Sequence, residues 1–154
     1  MRVMTGDSPS KADALARADA AWEGWRSFLA GEAEAGRTGL KGADGWTLAE
    51  AVAHVARWQG WATERLRSLP AGERIPRLDI DGQNAAWAEA DSGAEFEVAR
   101  VRQEDAWRRL RAEAEAVPEA KWRRLVSGTF AANTWEHYEE HLEWHPSEAA
   151  ARKR

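Results

Sequence analysis

Apolar residues in this chain recur at steps of three and four and almost never alternate, which commits the backbone to amphipathic helices rather than strands. Leu15, Ala18, Trp22, Trp25 and Leu29 trace the first seam. Ser8 or Ser10 can cap that helix, with Pro9 suited to a first turn, and five glycines between positions 31 and 45 (31, 36, 39, 42, 45) end it. Thr47 followed by Glu50 three residues on is the pattern of a capping box, and opens a second helix. Leu48, Val52, Val55, Ala62, Leu66 and Leu69 form its seam, with His54, Trp58 and Trp61 on an adjacent strip.

Residues 70–82 hold two prolines, two glycines and no helical period, so they read as a long crossover connection. A helical stretch from about Gln83 carries Asn84 and Trp87 and is interrupted at Ser92-Gly93. Glu95 then completes a capping signal for a helix through Phe96, Val101, Trp107 and Leu110 to about Val117. Residues 118–122 suit one short turn, and residues 126–132 read as irregular. Asn133 or Thr134 caps the last helix, Asn133 with Glu136 at the matching offset. Four principal helices make an all-α bundle the expected architecture.

The length of 154 residues suits a single domain, 1–154, with residues 1–8 and 150–154 expected to fray. A net charge of -4, with basic residues distributed among acidic ones, leaves no electrostatic footprint for nucleic acid. Arg108, Arg109 and Arg111, and the pair Arg123 and Arg124, read as solvated helix faces. There is no cysteine, hence no disulfide, thiolate ligand or cysteine nucleophile. No apolar run approaches the roughly 20 residues that span a bilayer, and the N-terminus lacks a signal-like core, so no membrane association and a cytoplasmic location are expected.

Three of the four histidines, His137, His141 and His145, fall on one helical stripe, and the fourth is His54. His137 and His141 are one turn apart, so their ring nitrogens can converge on one ion, with His54 as a third ligand. Spacing alone equally admits two polar residues at the edge of a core. His145 precedes Pro146, where a helix loosens, and suits a helix-end cation or an outer-shell group. Three neutral imidazoles on one divalent ion leave a coordination position open, the arrangement of a catalytic site. Such an ion can lower the pKa of a bound water to about 7 or take an incoming thiol as thiolate. Imidazole suits zinc, nickel, copper or iron, with zinc or nickel the foremost expectation. Glu50, one turn before His54, is the expected acid to orient that ring, although its capping role competes. Trp58 and Tyr138 are the expected substrate-binding residues; Trp58 suits a pocket wall and a core filler equally. Trp22, Trp25 and Trp107 read as core. No residue stands out as a general base.

Two segments resemble the DinB/YfiT-like superfamily: Trp46-Thr47-Leu48-Ala49-Glu50-Ala51-Val52-Ala53-His54 and Asn133-Thr134-Trp135-Glu136-His137-Tyr138-Glu139-Glu140-His141. That superfamily includes the N-terminal domain of mycothiol-dependent maleylpyruvate isomerase and the ClbS/DfsB-type proteins. The resemblance implies a four-helix bundle, up-down-down-up, with a long crossover between its second and third helices. It also implies a divalent metal on His54, His137 and His141. The first paired position is often Glu in the mycothiol branch, and His137 is closer to the three-histidine pattern of the YfiT-like branch. Since His54 and His137 both fall near the start of their helices, antiparallel helices must be offset along the axis for the rings to meet. The expected function is a metal-dependent enzyme acting on a small molecule, a hydrolase or a transferase of a low-molecular-weight thiol. The alternatives are a metal-independent ClbS-like protective or small-molecule-binding protein, and a non-enzymatic helical module serving homodimerisation.

Overall fold

The computed structural model describes residues 8–144. His145 and nearly all of the two end segments expected to fray lie outside the described residues. The chain forms α1 (Lys11–Glu34), α2 (Leu48–Ser68), α3 (Ile80–Ala90), α4 (Phe96–Ala116), α5 (Arg124–Ala132) and α6 (Trp135–Trp144), with short 3-10 turns at Leu69–Ala71 and Glu119–Lys121. Among the described residues there is no β-strand, only an isolated bridge between Lys41 and Thr47.

The first two helices start where their caps put them. The Ser10 hydroxyl accepts from the Asp13 N–H at 3.1 Å. Thr47 and Glu50 form the reciprocal capping box, with Glu50 N–H donating to Thr47 Oγ1 at 3.1 Å and Thr47 N–H to Glu50 Oε1 at 3.3 Å. Every member of the α2 seam, from Leu48 to Leu69, is buried.

Side-chain pairs fix how the long helices run. Gln59 meets Gln103 and Arg67 meets Glu113, so α2 and α4 are parallel. Trp25 meets Gln103 while Asp19 meets Arg111, so α1 is antiparallel to α4. Arg17 lies over Trp135 and Trp25 approaches His141, so α6 runs with α1. A parallel neighbour needs a long return path. Residues 69–95, with α3 inside them, supply it.

Four sequence expectations are corrected. First, α3 begins at Ile80 rather than about Gln83, because Asp79 caps it, accepting from the Gly82 N–H at 3.0 Å. A side chain at position 82 would collide with that carboxylate, so the glycine that signals a break here serves the cap instead. Second, Glu95 precedes α4 without a side-chain cap bond. The chain turns instead through the Ala94 N–H to Asp91 carbonyl bond and Gly93 at φ 73°. Third, Val101 is exposed, and the buried line of α4 is Ala99, Gln103, Trp107, Leu110 and Ala114. Fourth, residues 126–132 are not irregular: they belong to α5. Gly128 and the β-branched Val126 and Thr129 weaken its helical signal, and burial of Val126, Phe130 and Ala131 outweighs that handicap.

Helix α5 also solves the offset problem. At its end the Asn133 amide donates back to the Thr129 carbonyl and the Thr134 hydroxyl back to the Phe130 carbonyl, each at 2.8 Å. Both side chains close α5, while Thr134 still holds the position before α6, its carbonyl accepting from the Tyr138 N–H at 3.0 Å. The helical chain after Arg123 is thus divided between α5 and α6. His137 and His141 then lie at the level of His54 although α6 opposes α2.

Candidate metal centre

His54, His137 and His141 come together, all buried, with one ring nitrogen of each within 4.8 Å of the others. Ring centroids are 5.2 Å apart for His54 and His137, 5.5 Å for His54 and His141, and 4.9 Å for His137 and His141. The Nε2 atoms of His137 and His141 are 3.2 Å apart. A tetrahedral ion with metal–nitrogen bonds of about 2.0–2.1 Å holds two donors about 3.3–3.4 Å apart, so this edge already has the span of a ligand pair.

Electrostatics keep the rings in the ligating state. Burial pushes the His54 pKa down to about 4 against the raising influence of Asp44 and Asp91, and burial together with His54 pushes His137 down to about 3. Both imidazoles are neutral at pH 7 and keep a lone pair for a cation. The Nδ1 atoms of His54 and His137 are buried without a hydrogen-bond partner among the protein atoms. On His137 the nitrogen that faces His141 is Nε2, so an ion held there would leave Nδ1 unpartnered. What suits a divalent ion is the convergence of three ring nitrogens, two of them on rings kept neutral.

Glu50 does not orient His54. Its Oε1 accepts from both the backbone and the hydroxyl of Thr47, so capping wins the competition. The acids that act on His54 are Asp44 and Asp91, and Asp91 is itself gripped by Arg57 at 2.6 and 2.9 Å. On this side Trp46 packs on the His54 ring, with centroids 4.8 Å apart.

The histidines also border a cavity of about 580 Å³, lined by His54, His137, Trp58, Trp61, Asn84 and Glu140. Ile75, Pro76, Leu78 and Ile80 of the crossover complete its apolar wall. That volume suits a small molecule. Trp58 lies on the wall, its indole N–H donating to Asn84 Oδ1 at 2.8 Å and its ring edge-on to Trp61 and Trp87. His141 lies behind His137, fully enclosed.

Tyr138 is elsewhere, contrary to the sequence expectation. One residue past His137 the helix has rotated by about 100°, which turns Tyr138 into the core. There it stacks on Trp25 at 5.3 Å and its hydroxyl accepts from Gln59 at 2.7 Å. It closes a buried polar ladder in which Trp25 donates to Gln103 at 3.2 Å and Gln103 to Gln59 at 3.0 Å, linking α1, α4, α2 and α6. Gln59 and Gln103 are fully buried.

Glu140 also borders the cavity, and the sequence reading did not single it out. Burial, then Glu136 and Glu143, raise its carboxyl above the usual range, as expected of a proton acceptor at a cavity rim. Its side chain is exposed, and its offset of three from His137 brings it to the rim of the cavity. The crossover residues left no sequence signal, since only the folded connection brings them to α2 and α6.

No protein-family model matches this chain, and neither a curated protein nor a solved structure matches it. Among the described residues no helix is long and apolar enough to cross a membrane.

Proposed function

We propose that this chain is a DinB/YfiT-like four-helix-bundle metalloprotein, with a divalent ion, zinc or nickel, on His54, His137 and His141. In this reading it is an enzyme acting on a small molecule, as a hydrolase or a transferase of a low-molecular-weight thiol. The run of helix directions, with α5 and α6 counted as one broken helix, supports the up-down-down-up order. The observation that carries the reading is the position of His54 and His137: two of three converging imidazoles form the wall of a roomy cavity. A structural ion would be closed off by protein on every side.

When bound, the ion would supply Lewis acidity to a molecule in the cavity. The chain's own residues do the rest. Trp58, braced by Asn84, offers a flat apolar face that orients a substrate and excludes water. Glu140 can take a proton at its carboxylate from a thiol or water entering beside His137.

The His137–His141 distance of 3.2 Å is also a hydrogen-bond length, which favours the second reading, a ClbS-like protein that works without metal. Elemental analysis of untagged protein purified without chelator separates the two. About one divalent ion per chain, lost in a His54, His137, His141 triple-alanine variant, supports the first. Metal-free protein that cannot be loaded, or full loading of the triple variant, overturns it.

A further inference from the structure

The cavity beside the histidines does not end there. Trp61, Ala132 and Asn133 are shared with a second cavity of about 520 Å³ along α5, which shares Leu125 with a third of about 450 Å³ at the start of that helix. Ile75 borders the first and the third. Together they form a largely apolar trough beside α5, with Arg124 on the wall of the middle cavity. From Arg124 to Ala132 the helix alone advances about 12 Å.

The two ends of the trough differ in charge. At the histidine end stands the Glu140 carboxylate. At the far end Arg74, Lys121 and Arg123 converge on a floor made by Leu69, Ile75, Leu125 and Val126, with Glu73 the acid on that wall. Arg57, Arg67, Arg100, Arg108, Arg109 and Arg111 are all ion-paired. Arg74, Lys121 and Arg123, and Arg124 beside the middle cavity, are exposed and have no carboxylate partner among the described residues. Arg123 is solvated, as its sequence suggests, but it faces a cavity rather than open surface.

We propose that the trough binds an elongated amphipathic small molecule with a terminal carboxylate. Its anionic end lies among Arg74, Lys121 and Arg123, its apolar body runs past Leu125 and Trp61, and its reacting end reaches His54 and His137. The polarity follows from where the cations lie, since Arg74, Lys121 and Arg123 line the far end, Arg124 the middle, and none lines the histidine cavity. The assignment of the reacting end rests on the metalloenzyme reading; the assignment of the anionic end does not.

The probes are the monohydroxamates of suberic, sebacic and dodecanedioic acid and their methyl esters, titrated calorimetrically into the full-length protein, zinc-loaded and chelated. At the length that fits, the acid is expected to bind about tenfold more tightly than the ester. That preference shrinks as salt is added and falls severalfold in an R74Q/K121Q/R123Q variant, which keeps only Arg124 of the trough cations and whose ester affinity stays unchanged. The three positions are exposed, and the single variants K121Q and R123Q, each expected to lose part of the preference, replace the triple one if it does not fold. Equal affinity of acid and ester at every length overturns the proposal, as does a preference that survives the substitutions undiminished. Dodecanoate against its methyl ester on the chelated protein separates the two readings. An acid preference there, with no gain from the hydroxamate on zinc-loaded protein, leaves the anionic end standing and refutes the metal at the other.

Discussion

Replacing His141 with Ala separates what that ring does for the fold from what it does for an ion. The side chain is fully enclosed, facing Trp25 with centroids 6.4 Å apart and His137 through the 3.2 Å nitrogen contact. Truncation leaves a void that the surrounding helices fill only in part, a cost on the order of 2–4 kcal/mol by analogy with other buried large-to-small changes. For a domain of this size that is a drop of roughly 5–15 °C in the thermal midpoint of chelated protein. Metal enters as a separate effect. At a free concentration 100 times Kd, an ion that binds only the folded state adds about 2.7 kcal/mol. The assay is a set of four melts, wild type and His141→Ala, each chelated and zinc-saturated. Wild type should gain roughly 5–10 °C on loading. The variant, left with two ligands, should gain next to nothing, while far-UV helicity is unchanged by chelation in both because the helices have their own apolar seams. Comparing the two gains cancels the packing cost. An undiminished gain in the variant would refute the site, and unfolding of wild type on chelation would show a structural ion instead.

Three further outcomes follow from the geometry. Trp58→Phe should lose the bond to Asn84, about 1 kcal/mol, and weaken the quenching of tryptophan fluorescence by a small hydroxamate in loaded protein; a stability loss with unaltered affinity would make Trp58 a core filler only. Gln103→Leu should leave Trp25 Nε1 without its acceptor and Gln59 Oε1 without its donor, costing about 2–6 kcal/mol in urea unfolding with metal stoichiometry retained. A loss below about 1 kcal/mol would mean the ladder contributes little. In chelated protein, the lowered values of His54 and His137 mean that the unfolded chain takes up protons first as pH falls below its ordinary 6.5. Stability is therefore intact above that pH and declines from 6.5 toward about 4, with a slope approaching about 1.4 kcal/mol per pH unit for each histidine. A flat profile between pH 6.5 and 5 would contradict the dry site, and His54→Asn should make the slope shallower.

Sequence alone determined what is encoded within a few turns of chain. Ser10 and the Thr47–Glu50 box set helix starts by bonds spanning three residues, and the α2 seam is a spacing rule, so all could be read without a fold. The His137–His141 pair is likewise one helical turn. Tertiary structure decided whatever depends on groups distant along the chain. Helix α5 forms because Val126 and Phe130 find a core to enter, which local propensity does not record. Tyr138 left the site because the direction of the core, and not the spacing of residues, determines which side of α6 faces inward. Gln59 and Gln103 gave no sequence signal of pairing, and only two parallel helices place them opposite each other. The crossover residues and Glu140 became a cavity wall only when the return path folded over α2 and α6. Short-range hydrogen bonds and periodicity are local energies, legible one residue at a time. Burial is a property of the whole packed chain.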